Sequence, residues 1–147
     1  MVSQSSKRSL KTMVVLSRAY RSLTDVTTKD IESHKLNPTE FAVLELIYHK
    51  GDQPLQQIGD KILMASGSIT YVVDKLEKKE LVKRVPCPKD RRVIYATITE
   101  KGKAFMDKAF PQHEQVIDEY MKSLTTDEKE QLIYLLKKLS KIEEKKE

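Results

Sequence analysis

The sequence has a single cysteine, Cys87, among its 147 residues. No disulfide can therefore form within the chain, and a lone thiol suits a reducing compartment. No apolar run approaches the roughly 20 residues that a membrane-spanning helix needs. The opening residues, MVSQSSKRSLK, also lack the continuous apolar core of a secretory signal peptide. We therefore expect a cytoplasmic protein with no membrane partner.

Groupings of reactive side chains are missing as well. The three histidines lie in separate segments, Cys87 has no Cys-x-x-Cys partner, and no glycine-rich phosphate loop is present. Nucleophilic catalysis needs a base beside the nucleophile, and structural zinc needs clustered ligands. The sequence therefore predicts neither an enzyme nor a metal site, and it indicates no cofactor.

The chain does contain a concentrated positive charge. Residues 75–92 hold eight Lys or Arg and three Asp or Glu, an excess equal to the net charge of +5 on the whole chain. Such a local excess is typical of a surface that binds a polyanion. The alternative interpretation is a lysine-rich face that contacts only solvent.

Apolar residues that recur every three or four positions predict a mainly helical chain. A long first helix is expected from about Lys7 into the low thirties. The second begins after Asn37, which can form a capping box with Glu40, and it ends at Gly51. A short third helix is expected to open at Pro54.

The centre of the chain combines two helices with a pair of strands. A fourth helix is predicted from the apolar stripe Ile69, Val72, Val73 and Leu76. Two strands follow, at about 82–85 and 93–99, joined by the charged stretch CPKDRR. Two helices and then a charged hairpin indicate a winged helix-turn-helix, whose second helix enters the major groove. The expected fold is mainly α, with a small antiparallel β-hairpin wing.

The C-terminal third predicts two more helices. A wide apolar stripe covers residues 105–124, with a kink expected at Pro111 because proline removes a backbone donor. A second capping box, formed by Thr125 and Glu128, starts the last helix. The predicted order is therefore four helices, a hairpin and two further helices.

The apolar stripes of the terminal helices need a second surface to cover them. We expect residues 1–36 and 103–147 to form the N- and C-terminal dimerisation helices, on either side of a winged helix-turn-helix DNA-binding domain at residues 37–102. A twofold homodimer would also match palindromic half-sites in an operator. An intramolecular helix bundle is the alternative.

The turn and the start of the fourth helix carry side chains suited to reading DNA. Short or amphipathic donors and acceptors can contact base edges, a glycine lets the backbone approach, and a helix N-terminus attracts phosphate. One turn further on, a lysine is expected to contact backbone phosphate. The predicted contacts are Ser66, Gly67, Ser68, Thr70, Tyr71 and Lys75.

The hairpin tip carries Lys89, Asp90, Arg91 and Arg92. An extended Arg92 can enter the minor groove, where narrow A·T-rich segments concentrate negative potential, and Asp90 can fix its direction through a charge-assisted pair. Lys89 and Arg91 would contact phosphates. Two alternatives remain: an exposed salt bridge that contributes under about 1 kcal/mol, and a winged helix that binds protein or RNA without specificity for duplex DNA.

Two stretches resemble the MarR family of bacterial transcription regulators. DRRVIYATITEKG is similar to the family's wing, and LQQIGDKILMASGSITYVVDKLEKKELVKR is similar to its helix-turn-helix and first wing strand. The resemblance is strong over residues 36–102, and within the family it is to the MhqR-type repressors, which control genes that detoxify quinones and hydroquinones. It implies a winged-helix dimer with interdigitated terminal helices, in which Asp90 and Arg92 are the wing pair.

The resemblance also implies a crevice between the dimer helices and the winged module, which would hold a small phenolic or quinone-type ligand. The predicted lining is Met13, Tyr20, Phe41, Leu44, Tyr48, Phe110 and His113. Each of these side chains would otherwise be ordinary core. The expected protein is a sequence-specific repressor that leaves double-stranded DNA when such a ligand binds.

Cys87 offers an alternative mechanism of release. Relatives that sense oxidation use a cysteine in the first long helix, where this chain has none. Cys87 lies instead between two prolines near Arg84, Lys89 and Arg91, whose charges would favour its thiolate. A redox-sensing repressor is therefore the alternative to a ligand-released one, and a passive hairpin residue is the third interpretation.

Overall fold

The computed structural model describes residues 2–62 and 69–141, which form six helices and three short strands. In chain order the elements are α1 (Gln4–Ser33), α2 (Pro38–Lys50), β1 (Gln53–Pro54), α3 (Leu55–Lys61), α4 (Ile69–Lys78), β2 (Val82–Pro86), β3 (Ile94–Ile98), α5 (Glu100–Met121) and α6 (Thr126–Ser140). This confirms the predicted order of helices and hairpin. Within the two described ranges, no helix is long and apolar enough to cross a membrane.

Local hydrogen bonds start α2 and α6 where the sequence predicts. The Asn37 side chain accepts from the Glu40 N–H at 2.8 Å, and Glu40 Oε1 accepts from the Asn37 N–H at 3.1 Å. Thr125 and Glu128 form the same reciprocal pair at 3.1 and 2.9 Å. The backbone N–H of Thr125 holds the pKa of the Glu128 carboxyl below its usual value. Both predicted capping boxes are confirmed.

The core lies inside the winged module, around α2. Side chains from four helices and the sheet meet there, and burying each large apolar one contributes about 1.5–3 kcal/mol. The side chains exposed by 2% or less include Phe41, Leu44, Ile47, Ile58, Val73, Leu76, Ala96 and Met106. The core therefore fixes α4 against α2 and the sheet.

The sheet has one strand more than the predicted hairpin. Its strands are antiparallel in the order β1-β3-β2, and Arg84 of β2 pairs with Ala96 of β3. β1 pairs Gln53 with Ala96 and Pro54 with Tyr95. A two-residue strand that contains a proline has no alternating pattern, so the sequence did not predict it. The expectation that α3 opens at Pro54 was wrong by one residue, since α3 begins at Leu55.

The junction between the wing and α5 is tightly packed. Thr99 caps α5 by accepting from the Gly102 N–H at 2.9 Å, and its hydroxyl donates to the carbonyl oxygen of Glu80 at 2.7 Å. A Cβ atom on Gly102 would lie 2.1 Å from the carbonyl oxygen of Leu81. α5 therefore starts directly against the backbone that leads into β2, and it continues through Pro111 as one helix.

The apolar stripes of the terminal helices are not covered within one chain. α6 has no buried residue, and in α1 only Ile31 is buried. The large apolar side chains left exposed on these two helices include Leu10, Met13, Val14, Val15, Leu16, Tyr20, Leu132, Ile133, Tyr134, Leu135, Leu136 and Leu139. Contiguous apolar surface of this kind marks an interaction site.

Candidate nucleic-acid interface

Three of the side chains predicted to contact DNA, Thr70, Tyr71 and Lys75, lie on α4 and are at least partly exposed. Thr70 and Tyr71 are exposed in its first turn, and Tyr71 is 62% accessible to solvent. Lys75 lies one turn further on, with its Nζ 4.7 Å from the centroid of the Tyr71 ring in a cation–π contact. The predicted contacts outside the described residues are Ser66, Gly67 and Ser68.

The wing tip holds Arg92 at its outer end. Asp90 Oδ1 accepts hydrogen bonds from the backbone N–H of Arg92 at 3.0 Å and from its Nε at 3.3 Å. The Arg92 side chain is still 90% exposed, so Asp90 orients the guanidinium without burying it. The expected Asp90–Arg92 pair is therefore present, and Lys89 and Arg91 are exposed beside it.

Hydrogen bonds tie the wing tip to the helix-turn-helix. The Cys87 N–H donates to the carbonyl oxygen of Val93 at 2.9 Å, and the Val93 N–H donates to that of Asp90 at 3.0 Å. Gln56 Nε2, on α3, donates to the carbonyl oxygen of Arg92 at 3.3 Å. Gln56 therefore braces the tip from the first helix of the motif, a role that no local pattern in the sequence indicates.

The Arg84 side chain contacts α4. From the sequence, Arg84 was named only as a neighbour of Cys87. Its Nη2 lies 2.7 Å from Asp74 Oδ1 and donates to the carbonyl oxygen of Thr70 at 3.2 Å. Its Nη1 forms an ion pair with Glu77. These contacts direct the guanidinium to α4, and an effect of Arg84 on Cys87 stays a prediction.

Cys87 is half-buried at the base of the wing. It lines a shallow depression of about 390 Å³ together with Asp52, Lys89 and Tyr95. Of the basic residues predicted to lie near Cys87, Lys89 lines the same depression. A redox role for Cys87 stays a prediction.

A separate cavity of about 300 Å³ lies between α2, α5 and α6. Its lining is Glu45, Phe110, His113, Glu114, Ile117, Asp118, Met121 and Lys129. Three of these side chains are acidic, namely Glu45, Glu114 and Asp118. Lys129 lies 3.8 Å from Asp118. The lining of the cavity therefore combines apolar side chains with an excess of negative charge.

The predicted ligand residues divide between this cavity, the core and the surface. Phe110 and His113 line the cavity. Phe41 and Leu44 are buried, and the Phe41 ring packs 4.6 Å from that of His113, centroid to centroid. Tyr48 lies 6.3 Å from Phe110 by the same measure. Met13 and Tyr20, the remaining two predicted ligand residues, lie on α1 and are 59% and 70% exposed.

A buried polar cluster joins α5 to α1. His113 Nδ1 lies 2.9 Å from Asp30 Oδ2, and His34 Nε2 lies 3.5 Å from the same oxygen. The sequence did not reveal the contact between Asp30 and His113 because these residues are 83 positions apart. In the part of the chain that the structure describes, no group of three or more His, Cys, Asp or Glu side chains is arranged to hold a metal ion.

Tyr48 joins α2 to α5 by donating its hydroxyl to Asp107 Oδ1 at 2.5 Å. This hydrogen bond, with the nearby negative charge, raises the pKa of Tyr48 above 10.0. The folded chain therefore holds the phenol proton more tightly than the unfolded chain does. The stabilisation from this contact is present below pH 10.0 and is lost as the pH rises through the raised pKa.

We expect one tyrosine to ionise later than the others in an alkaline titration followed by phenolate absorbance. Tyr48→Phe should remove that late transition. Asp107→Asn should move it back toward the usual pKa, because the amide carries no charge. Tyr71→Phe, which changes an exposed tyrosine on α4, is the control. A late transition that survives Tyr48→Phe would contradict the assignment.

A two-helix motif, an arginine-tipped wing and long terminal helices define the class of winged helix-turn-helix DNA-binding regulators. Solved structures share the fold. BpsR of Bordetella bronchiseptica has a TM-score of 0.77 and 25% identity, covering 88% of this chain and 98% of BpsR. A mutant of MarR from E. coli, complexed with operator DNA, has a TM-score of 0.77 and 24% identity, covering 85% and 90%.

Sequence comparison identifies the family. The sequence model of the MarR family matches residues 36–94. The HTH-type transcriptional regulator MhqR of Bacillus subtilis is 61% identical over 133 residues, which cover 90% of this chain and 92% of MhqR. The chain belongs to the MarR family and is a DNA-binding transcription regulator. The resemblance to MhqR-type proteins is confirmed, and these relatives are regulators rather than enzymes.

Proposed function

We propose that the protein is a repressor that binds a palindromic operator as a homodimer and leaves it when a neutral phenolic or quinone-type ligand binds. The observation that carries the DNA-binding part is the wing tip, where Asp90 orients an arginine that is 90% exposed. Such an arginine fits a narrow minor groove, while Tyr71 and Thr70 of α4 face the adjacent major groove.

The homodimer is supported by the uncovered apolar faces of α1 and α6. They form a groove of about 560 Å³ whose rim carries the basic residues Arg8 and Lys11. The apolar floor of the groove is Val15, Leu16, Ala19, Leu132, Leu135, Leu136 and Leu139. A second copy would cover this surface and place two α4 helices in a twofold arrangement that matches a palindrome.

The ligand class is supported by the charge of the cavity between α2, α5 and α6. Phe110 and Met121 offer apolar contact to an aromatic ring, whereas Glu45 and Glu114 can accept hydrogen bonds from hydroxyl groups. The same carboxylates would repel an aromatic acid. DNA binding by BpsR is regulated by 6-hydroxynicotinic acid, which supports an aromatic ligand in general. In this chain the acidic side chains that line the cavity favour a neutral diphenol.

Hydroquinone is expected to release the protein from DNA upstream of its own gene at concentrations at which salicylate does not. Fluorescence anisotropy with a labelled operator and a scrambled duplex of equal length measures both specificity and release. Glu45→Gln/Glu114→Gln should let salicylate act, because the repelling charges are gone. Lys108→Ala, an exposed change elsewhere on α5, is the control. Equal release of the wild type by both compounds would contradict the proposed ligand class.

A further inference from the structure

We propose that Arg84 is a positioning residue for DNA binding, acting as the internal counter-charge of the recognition helix α4. In this role Arg84 does not contact DNA. It neutralises the carboxylates of Asp74 and Glu77, which would otherwise repel the phosphates that α4 approaches. The inference rests on the proposed function, since it requires α4 to lie in the major groove.

Both terminal nitrogens of the Arg84 guanidinium contact one face of α4. Arg84 reaches Thr70, Asp74 and Glu77, which lie three and four residues apart and so form a row along the helix. The Arg84 backbone N–H also donates to Glu77 Oε2 at 3.4 Å. The Arg84 side chain is only 22% exposed, so its partners meet it in a partly desolvated setting where charge pairing is stronger than in water.

Asp74 lies on the surface that would face DNA. Its side chain is 50% exposed, and that of Glu77 is 36% exposed. Asp74 lies one turn from Thr70 and next to Lys75, both predicted DNA contacts. Two unpaired carboxylates at this place would face the phosphate backbone, and like charges that approach each other at an interface weaken binding strongly. Lys75 stacks on the Tyr71 ring, so Arg84 is the cation that contacts both acids.

The contrast with the wing tip separates this role from that of the phosphate contacts. Arg91 and Lys89 are exposed and would release counterions from the DNA phosphates that they contact, which gives them a salt-dependent contribution. Arg84 instead has both terminal nitrogens of its guanidinium in contact with protein groups. Removing its positive charge should therefore matter only while Asp74 and Glu77 are negative. This dependence distinguishes an internal counter-charge from an arginine that contacts DNA directly.

The test compares the operator affinities of the wild type and four full-length variants at one salt concentration, with melting temperatures alongside. Arg84→Ala is expected to weaken operator binding by about tenfold or more. Arg84→Ala/Asp74→Asn/Glu77→Gln is expected to return to within about threefold of wild type, since the helix face is neutral again. Asp74→Asn/Glu77→Gln should bind as tightly as wild type or more tightly. Lys83→Ala, an exposed neighbour on β2, is the matched control.

A triple variant that melts like the wild type and binds as weakly as Arg84→Ala would overturn the proposal, because Arg84 would then act on DNA itself. Weaker binding by Asp74→Asn/Glu77→Gln would overturn it as well, and this variant keeps Arg84 if Arg84→Ala alone fails to fold. Failure of the proposed function would look different. The wild type would then bind operator and scrambled duplex equally.

Discussion

Replacing Arg92 with alanine is expected to weaken binding to an operator with A·T-rich flanks by roughly ten- to a hundredfold, which corresponds to the loss of about 1–3 kcal/mol. Arg92 is 90% exposed and is oriented by Asp90, so little folding energy depends on it. The loss should therefore appear in DNA affinity and leave the melting temperature unchanged. The effect should shrink when the flanks are G·C-rich, because the minor groove there is wider and less negative.

The measurement is a set of anisotropy titrations on two duplexes that differ only in their flanks. Lys75→Ala should weaken binding to both duplexes about equally, since a phosphate contact carries no sequence information. Lys108→Ala on α5 should change neither affinity. A loss for Arg92→Ala that is the same on both duplexes would show that Arg92 contacts phosphate and does not read the minor groove.

Replacing Gly102 with alanine is expected to lower the free energy of unfolding by at least about 2 kcal/mol. Helix propensity alone would predict a gain of about 1 kcal/mol in α5. The added Cβ would lie 2.1 Å from the Leu81 carbonyl oxygen and 2.9 Å from Ile98 Cγ1. The first of these neighbours is backbone, so steric overlap outweighs propensity and must separate α5 from the wing.

Urea unfolding at a fixed protein concentration measures this loss, because a dimer's apparent stability depends on concentration. Lys103→Ala changes the next, exposed position in α5 and should be close to neutral. Gly51→Ala is a second comparison: its φ of +83° strains any side chain, but nothing lies within 4 Å. If Gly102→Ala were as stable as Lys103→Ala, the close approach to Leu81 would not exist in solution.

The elements that the sequence predicted depend on contacts within a few residues. Asn37 and Glu40, like Thr125 and Glu128, form their capping hydrogen bonds across three positions, so the printed sequence contains the whole interaction. The Asp90–Arg92 pair spans two positions and was predicted for the same reason. The apolar stripes predicted the helices equally well, since helical spacing is also local.

What the sequence could not predict depends on distant partners. Tyr48 and Asp107 are 59 residues apart, and Asp30 and His113 are 83 apart. No local pattern pairs such residues, because only the packing of α1, α2 and α5 brings them together. The contacts of Arg84 with α4 are a related case, because the turn before β2 returns the chain to that helix and no local pattern in the sequence indicates the pairing.

The short strand β1 affects how the proposed release from DNA could work. β1 pairs with β3, so the segment between α2 and α3 is hydrogen-bonded to the wing. The central strand of the sheet therefore has neighbours on both sides. A free two-stranded hairpin would be marginally stable in water and could fold away from its target. Here β1 instead joins the wing to the segment that leads into α3. In the proposed homodimer, an effector would then have only to alter the spacing between two winged modules.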